Sequence, residues 1–123
     1  MFELMVKSKF SSAHFLKNYN GKCENLHGHN WKVEAFFSGN YLNEAYILID
    51  FKILKEFLNK VLENLDHKLL NEIKFFKELN PSSEMIAKYI FFELKELLKD
   101  YKNILVKKIN VWETENSMAS FME

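Results

Sequence analysis

Two runs of alternating polarity, each carrying histidine in its apolar phase, constrain this chain more than any other feature. From Phe2 to His14 the even positions read Phe2, Leu4, Val6, Ser8, Phe10, Ser12 and His14, while Lys7, Lys9 and Ser11 fall on odd ones. From about His27 to Ser38 the odd positions read His27, His29, Trp31, Val33, Ala35 and Phe37, with Asn30, Lys32 and Glu34 between them. Residues two apart on a strand share a face, so this period predicts two half-buried strands. His27 and His29 then point the same way and Gly28 the other. If the strands pair as a hairpin, His14 converges on them. Three neutral imidazoles with an open fourth position describe a catalytic zinc site, whereas a structural site adds a fourth protein ligand, usually Cys. The plain alternative is polar histidines at strand ends; a third histidine in phase and a nearby cysteine weigh against it. Imidazole suits several divalent ions, so zinc is the leading candidate among them.

The remaining chain supplies the partners of this hairpin. Gly39-Asn40 marks a turn region, and a short third strand is expected around Tyr46 to Ile49. Asp50 is suited to cap a helix whose apolar positions are Phe51, Leu54, Leu58, Val61, Leu62 and Leu65. The stretch from Asp66 to Asn80 looks irregular. Asn80-Pro81 reads as a second helix start, followed by Ile86, Ile90, Leu94, Leu97, Leu98 and Tyr101 at helical spacing. Strand patterns return from Ile104 to Glu115 and from Met118 to Phe121. The expected order is β-β-β-α-α-β-β: an α+β domain spanning 1–123, with an antiparallel sheet carrying two helices on one face. The other face and the sheet edges still need cover, which a domain this small often finds by oligomerising.

Composition narrows the functional classes. Lys plus Arg equals Asp plus Glu at 17 each, with no basic arm, which argues against nucleic acid as the main partner. A single cysteine has no intramolecular disulfide partner and suits a reducing compartment. No secretory pattern opens the sequence, and no apolar run approaches the ~20 residues that span a bilayer, so a soluble cytoplasmic protein is expected.

Further residues carry chemistry. Cys23, four before His27, is a fourth metal ligand, a catalytic thiol whose pKa a nearby cation would lower, or a small buried residue. Asp66-His67 pairs a carboxylate with an imidazole it can orient, although a helix-terminal histidine beside a solvated aspartate explains the same pair. Glu113 is in phase with Ile109 and Val111, and an inward carboxylate needs a donor partner, such as a ligand with adjacent N–H groups. Glu115 has the same parity and is its rival.

The run Cys23-Glu24-Asn25-Leu26-His27-Gly28-His29 resembles the Cys-x-x-x-His-Gly-His motif of the 6-pyruvoyl-tetrahydropterin synthase superfamily. Phe10-Ser11-Ser12-Ala13-His14, Ile49-Asp50-Phe51, Leu65-Asp66-His67, Asn80-Pro81-Ser82-Ser83-Glu84 and Glu113-Thr114 resemble its other blocks in order. The spacer before His-Gly-His is similar to that of the bacterial 6-carboxy-tetrahydropterin synthases of the queuosine pathway. The resemblance implies the tunnelling fold, in which subunits join sheets into a barrel, and a homohexamer of two trimers. It implies zinc on His14, His27 and His29, with Cys23, Asp66 and His67 catalytic. It implies Glu113 as the anchor of a pterin ring, with Ser82 and Ser83 in a segment lining the pterin pocket; Ser82 stands where Thr is more familiar. The implied substrate is 7,8-dihydroneopterin triphosphate, and the implied reaction is a carbon–carbon lyase reaction giving 6-carboxy-5,6,7,8-tetrahydropterin. Sister activities give 6-pyruvoyl-tetrahydropterin or, through a Glu in the Cys23 loop, 6-hydroxymethyl-dihydropterin. A reading from another class is a non-catalytic zinc- or pterin-binding protein, with the zinc site closed by Cys23.

Overall fold

A computed structural model describes residues 1–20 and 24–123. Strand β1 (Phe2–His14) pairs antiparallel with β2 (His27–Gly39), Phe2 opposite Gly39 and His14 opposite His27. Helix α1 (Phe51–Glu63) follows, then two short 3-10 turns at Leu70–Glu72 and Lys74–Phe76, then helix α2 (Ser83–Leu97). Strands β3 (Leu105–Thr114) and β4 (Ser117–Phe121) complete one antiparallel sheet in the order β1-β2-β3-β4. Helix α1 packs on β1, and α2 packs on β3 and β4, so both helices lie on the same face, as an α+β domain requires. Among the described residues no helix is long and apolar enough to cross a membrane.

The alternation read from the sequence fixes which face is buried. Val6 and Phe10, then Trp31, Val33, Ala35 and Phe37, then Ile109 and Val111 point under the helices. They meet Leu54, Leu58, Val61 and Leu62 of α1 and Ile86, Ile90 and Leu94 of α2. Each buried Val, Leu, Ile or Phe side chain contributes about 1.5–3 kcal/mol relative to exposure, so slipping one strand by a single residue would forfeit a whole row. At the end of β2, a Cβ on Gly39 would meet the Asn103 carbonyl oxygen and, at 2.6 Å, Leu48 Cδ1. Only glycine lets the strand approach the loop there.

Two expectations are corrected. The segment Tyr46 to Ile49 is not a strand. The Asn43 carboxamide oxygen accepts from the N–H groups of Ala45 (2.8 Å) and Ile47 (3.3 Å), and Tyr46 turns to a φ of 62°. Local side-chain bonding thus satisfies donors that a strand would present to a neighbour. Leu48 and Ile49 are buried all the same, because the turn drops them onto the core. The second helix begins later than Pro81: its cap is Ser82, whose Oγ accepts from Met85 N at 3.2 Å. Helix α1 is capped as expected, with Asp50 accepting from Lys52 N at 2.8 Å.

The irregular segment after α1 is bonded along the outer edge of β1. Ser11 donates its N–H to Asp66 Oδ1 (2.9 Å) and accepts from His67 N (2.6 Å), and Ala13 N donates to the Lys68 carbonyl at 3.1 Å. Beyond the strand, the Asn71 carboxamide takes both backbone groups of Phe15 at 3.0 and 2.9 Å. The Asn80 carboxamide does the same for Lys17 at 2.7 and 2.8 Å. Side-chain amides therefore replace a missing strand and hold the start of the loop that contains Cys23.

Candidate active site

His14 ends β1 and is buried; its Nδ1 lies 2.7 Å from the Pro81 carbonyl. His27 opens β2, with Nδ1 2.7 Å from the Asn25 carbonyl. A carbonyl only accepts, so both rings carry their proton on Nδ1 and present an Nε2 lone pair. Those two lone pairs face each other at 3.1 Å. Two acceptors this close need a proton or a cation between them. His29 adds a third ring whose Nε2 is buried and has no hydrogen-bond partner. Burial pushes its pKa below the ordinary histidine value, with Glu113 opposing and the neighbouring imidazoles reinforcing the shift. It therefore stays neutral, the form a metal ligand takes.

Glu113 completes the group: donor atoms of His14, His27, His29 and Glu113 all lie within 4.8 Å of one another. Tetrahedral zinc with ligands about 2.0–2.1 Å away separates them by roughly 3.3 Å, close to the observed imidazole spacing. The donor set, the orphaned Nε2 and the two opposed lone pairs fit a zinc-like divalent ion better than a shared proton. The carbonyl partners of His14 and His27 fix ring orientation, as the supports of metal-bound imidazoles do. Trp31 closes the inner side, its ring edge-on to His14 and His29 with centroids 5.0 and 5.1 Å apart.

Glu113 sits at an irregularity in β3, between Trp112 and Thr114. Its Oε1 is 3.3 Å from His29 Nε2, and its Oε2 accepts from Ser83 Oγ at 3.1 Å. The same irregularity breaks the phase that made Glu115 its rival: Glu115 lines a cavity on the helix-free face instead. Ser82 spends its oxygen on the helix cap, while Pro81 supports His14, so the Asn80–Glu84 segment touches the loop, the first histidine and Glu113 together.

Asp66 and His67 form the pair expected of them, His67 Nδ1–H donating to Asp66 Oδ2 at 2.9 Å. The Ser11 N–H above all, and then the imidazole, hold the Asp66 carboxyl below its usual range. His67 adopts a φ of 55° and is 82% exposed, so the pair is open to water, as the solvated helix-terminal alternative also expects. The pair does not join the imidazole cluster within the chain. It lines a 620 Å³ cavity with Lys9, Asn30, Lys32 and Trp112, on the side of the sheet away from the helices. Cys23 lies outside the described residues. Glu24 is described: its Oε1 is buried without a hydrogen-bond partner, 3.7 Å from His27 Nε2. In the sequence Glu24 marks only a sister activity; its spacing of three before His27 was the available signal for this proximity.

The profile of 6-pyruvoyl tetrahydropterin synthases matches residues 3–123. The chain belongs to that family. Among its relatives, a putative 6-carboxy-5,6,7,8-tetrahydropterin synthase of Archaeoglobus fulgidus is 38% identical over 93% of this chain and 90% of its own. The 6-carboxy-5,6,7,8-tetrahydropterin synthase of Haemophilus influenzae is 30% identical over the whole of both chains. A Plasmodium vivax 6-pyruvoyltetrahydropterin synthase, solved as a Glu-to-Cys catalytic-residue mutant, superposes with a TM-score of 0.80. It is 26% identical, over 99% of this chain and 97% of that one. The four-stranded sheet with two helices on one face is thus the family's fold.

Proposed function

We propose that the protein is a zinc-dependent carbon–carbon lyase that converts 7,8-dihydroneopterin triphosphate to 6-carboxy-5,6,7,8-tetrahydropterin, acetaldehyde and triphosphate, in the cytoplasm and within queuosine biosynthesis. One observation carries the reading: two opposed Nε2 lone pairs and an orphaned third imidazole beside a carboxylate, in a chain whose relatives include 6-carboxy-tetrahydropterin synthases.

His14, His27 and His29 would hold zinc. When bound, zinc supplies Lewis acidity to the side-chain hydroxyls of the substrate. Cys23, as thiolate, takes a side-chain proton. Asp66 holds the His67 ring through Nδ1, which leaves Nε2 to move protons in the later steps. Glu113, steadied by Ser83, accepts the 2-amino and N3 hydrogens of the pterin in a paired, charge-assisted contact. Ser82 keeps the α2 start in position behind it. Because the Asp66–His67 pair and the imidazoles occupy opposite faces of one sheet, the reaction needs a second copy to bring another chain's dyad to the cluster. A homo-oligomer, a hexamer of two trimers by family resemblance, meets that need.

A second reading has its own support. Glu24 aims an unpartnered carboxylate oxygen at His27, and a Plasmodium relative is described with a catalytic Glu. Glu24 would then act as an alternative base and yield 6-hydroxymethyl-dihydropterin. Incubating the zinc-loaded protein with dihydroneopterin triphosphate and identifying the pterin by mass decides between them. The first reading expects the 6-carboxy product, with Cys23→Ala abolishing it. A 6-hydroxymethyl product that survives Cys23→Ala and disappears in Glu24→Gln establishes the second.

A further inference from the structure

Ser12 interrupts the apolar row of β1. It shares a phase with Val6, Phe10 and His14, is buried as they are, and stands directly opposite His29. A buried hydroxyl without a partner is costly, so its bonds are what its presence has to explain. Ser12 Oγ donates to the Leu65 carbonyl and accepts from the Lys68 N–H at 3.4 Å. The Ser12 carbonyl accepts from the Trp31 indole N–H at 3.2 Å. Trp31 is the ring set edge-on to His14 and His29. Ser12 therefore meets both halves of the proposed chemistry: the imidazoles through its main chain and Trp31, and the turn after α1 through its side chain.

The two groups held by the hydroxyl flank the Asp66–His67 pair in the sequence. The backbone of Ser11 holds the pair itself, donating to Asp66 Oδ1 at 2.9 Å and accepting from His67 N at 2.6 Å. Between these fastenings His67 has a φ of 55°. A residue with a Cβ enters this left-handed region at a cost, and it stays there only where its surroundings over-determine it. Any residue at position 11 offers the same N–H and carbonyl. The Ser12 hydroxyl is the part of the clamp that depends on the side chain chosen. The turn it pins sets where the His67 ring leaves the chain, and hence whether Nδ1 reaches Asp66 Oδ2, here 2.9 Å away.

We propose that Ser12 is a positioning residue for the reaction. Its hydroxyl clamps Leu65 and Lys68 so that the turn between them keeps His67 left-handed, with Nδ1 on Asp66 and Nε2 free to move protons. The assignment rests on the reading of His67 as a proton carrier in turnover, and Ser12 acts only through that ring.

The test is NMR of the histidine ring nitrogens in the full chain, at about pH 8.5, above the ordinary histidine range. The His67 signals are assigned by their absence from His67→Gln. The tautomer of a neutral imidazole follows the hydrogen bond made at one nitrogen, so wild type shows His67 with its proton on Nδ1. In Ser12→Ala that preference is lost and both tautomers appear, while zinc content stays at the wild-type level. Its kcat falls by about tenfold to a hundredfold, a large part of what a positioned proton carrier contributes, and KM stays within about twofold. Ser12→Thr keeps the hydroxyl on a residue suited to strands, restores the Nδ1 tautomer and returns kcat to within about threefold of wild type. A hydroxyl that serves folding alone predicts a lower melting temperature in Ser12→Ala with tautomer and kcat unchanged, and that result overturns the proposal. Wild type provides a measurement that needs no variant to fold: the Lys68 amide is expected to exchange at least about tenfold slower than a free amide. Exchange at the free rate, or a wild-type His67 protonated on Nε2, overturns the clamp. Loss of the tautomer with kcat unchanged refutes the role of His67 in turnover and retains the clamp, so the two failures are told apart.

Discussion

At the scale of single residues, the histidine cluster is determined by what its neighbours accept. The carbonyls of Pro81 and Asn25 each take an Nδ1 proton, which leaves the Nε2 atoms of His14 and His27 facing each other with nothing to donate. Strand parity alone predicts that His27 and His29 share a face, and that His14 joins them if the strands pair as a hairpin. It does not identify the carbonyls, because every residue has one and only the fold selects which approaches. His27→Ala removes one of the opposed donors, and its zinc content, measured by atomic absorption after dialysis, is expected to fall from one per chain to well below half. Stoichiometric zinc in that variant would exclude the triad. On the other face, Glu34 is held ionised to unusually low pH, chiefly by the Trp112 indole N–H and also by Asn110, against the opposing effect of burial. A carboxylate with a lowered folded pKa stabilises the fold above its unfolded value of about 4.5, and that contribution is lost as pH falls through the folded value. Glu34→Gln should therefore lose less stability than wild type between pH 6 and pH 3 in urea titrations. Equal losses in the two proteins would remove this role.

Among the elements, regular periodicity was legible and local side-chain bonding was not. The strands β1 and β2 and the two helices follow from spacings of two and of three to four; most bounds differ from expectation by a residue or two, while α2 ends at Leu97, four residues before the expected Tyr101. Tyr46 to Ile49 reads as a strand because it is apolar, yet the Asn43 carboxamide draws its backbone into a turn. The segment from Asp66 to Asn80 has no period to read, although it is bonded along β1 through Asp66, Lys68, Asn71 and Asn80. Asn71 is buried, with both its polar atoms paired to Phe15. Asn71→Ala leaves two part-buried backbone groups of Phe15 without partners, each costing toward the lower end of the about 1–3 kcal/mol of a buried unpaired group. The expected result is a fall of about 2 kcal/mol in unfolding free energy by chemical denaturation. A loss below 0.5 kcal/mol would mean that water replaces the amide and the clamp contributes little.

For the whole molecule, the sheet divides the proposed chemistry. Imidazoles and Glu113 lie on its helix-bearing side, and Asp66 and His67 on the other. The resemblance to a family supplied the roles of these residues. Their separation was not legible, because it depends on how the segment after α1 meets the edge of β1. Strands β1 and β4 are the two edges of the sheet; the segment after α1 already covers the far end of β1, which leaves β4 and the start of β1 as the positions where another copy would add. On the proposed reading, turnover depends on a metal held by the histidine cluster. It is measured by following dihydroneopterin triphosphate before chelation, after chelation, and after zinc is restored. The expected result is a loss of at least about a hundredfold on chelation and recovery with one zinc per chain. Full turnover by the metal-free protein would exclude a metal role for the cluster.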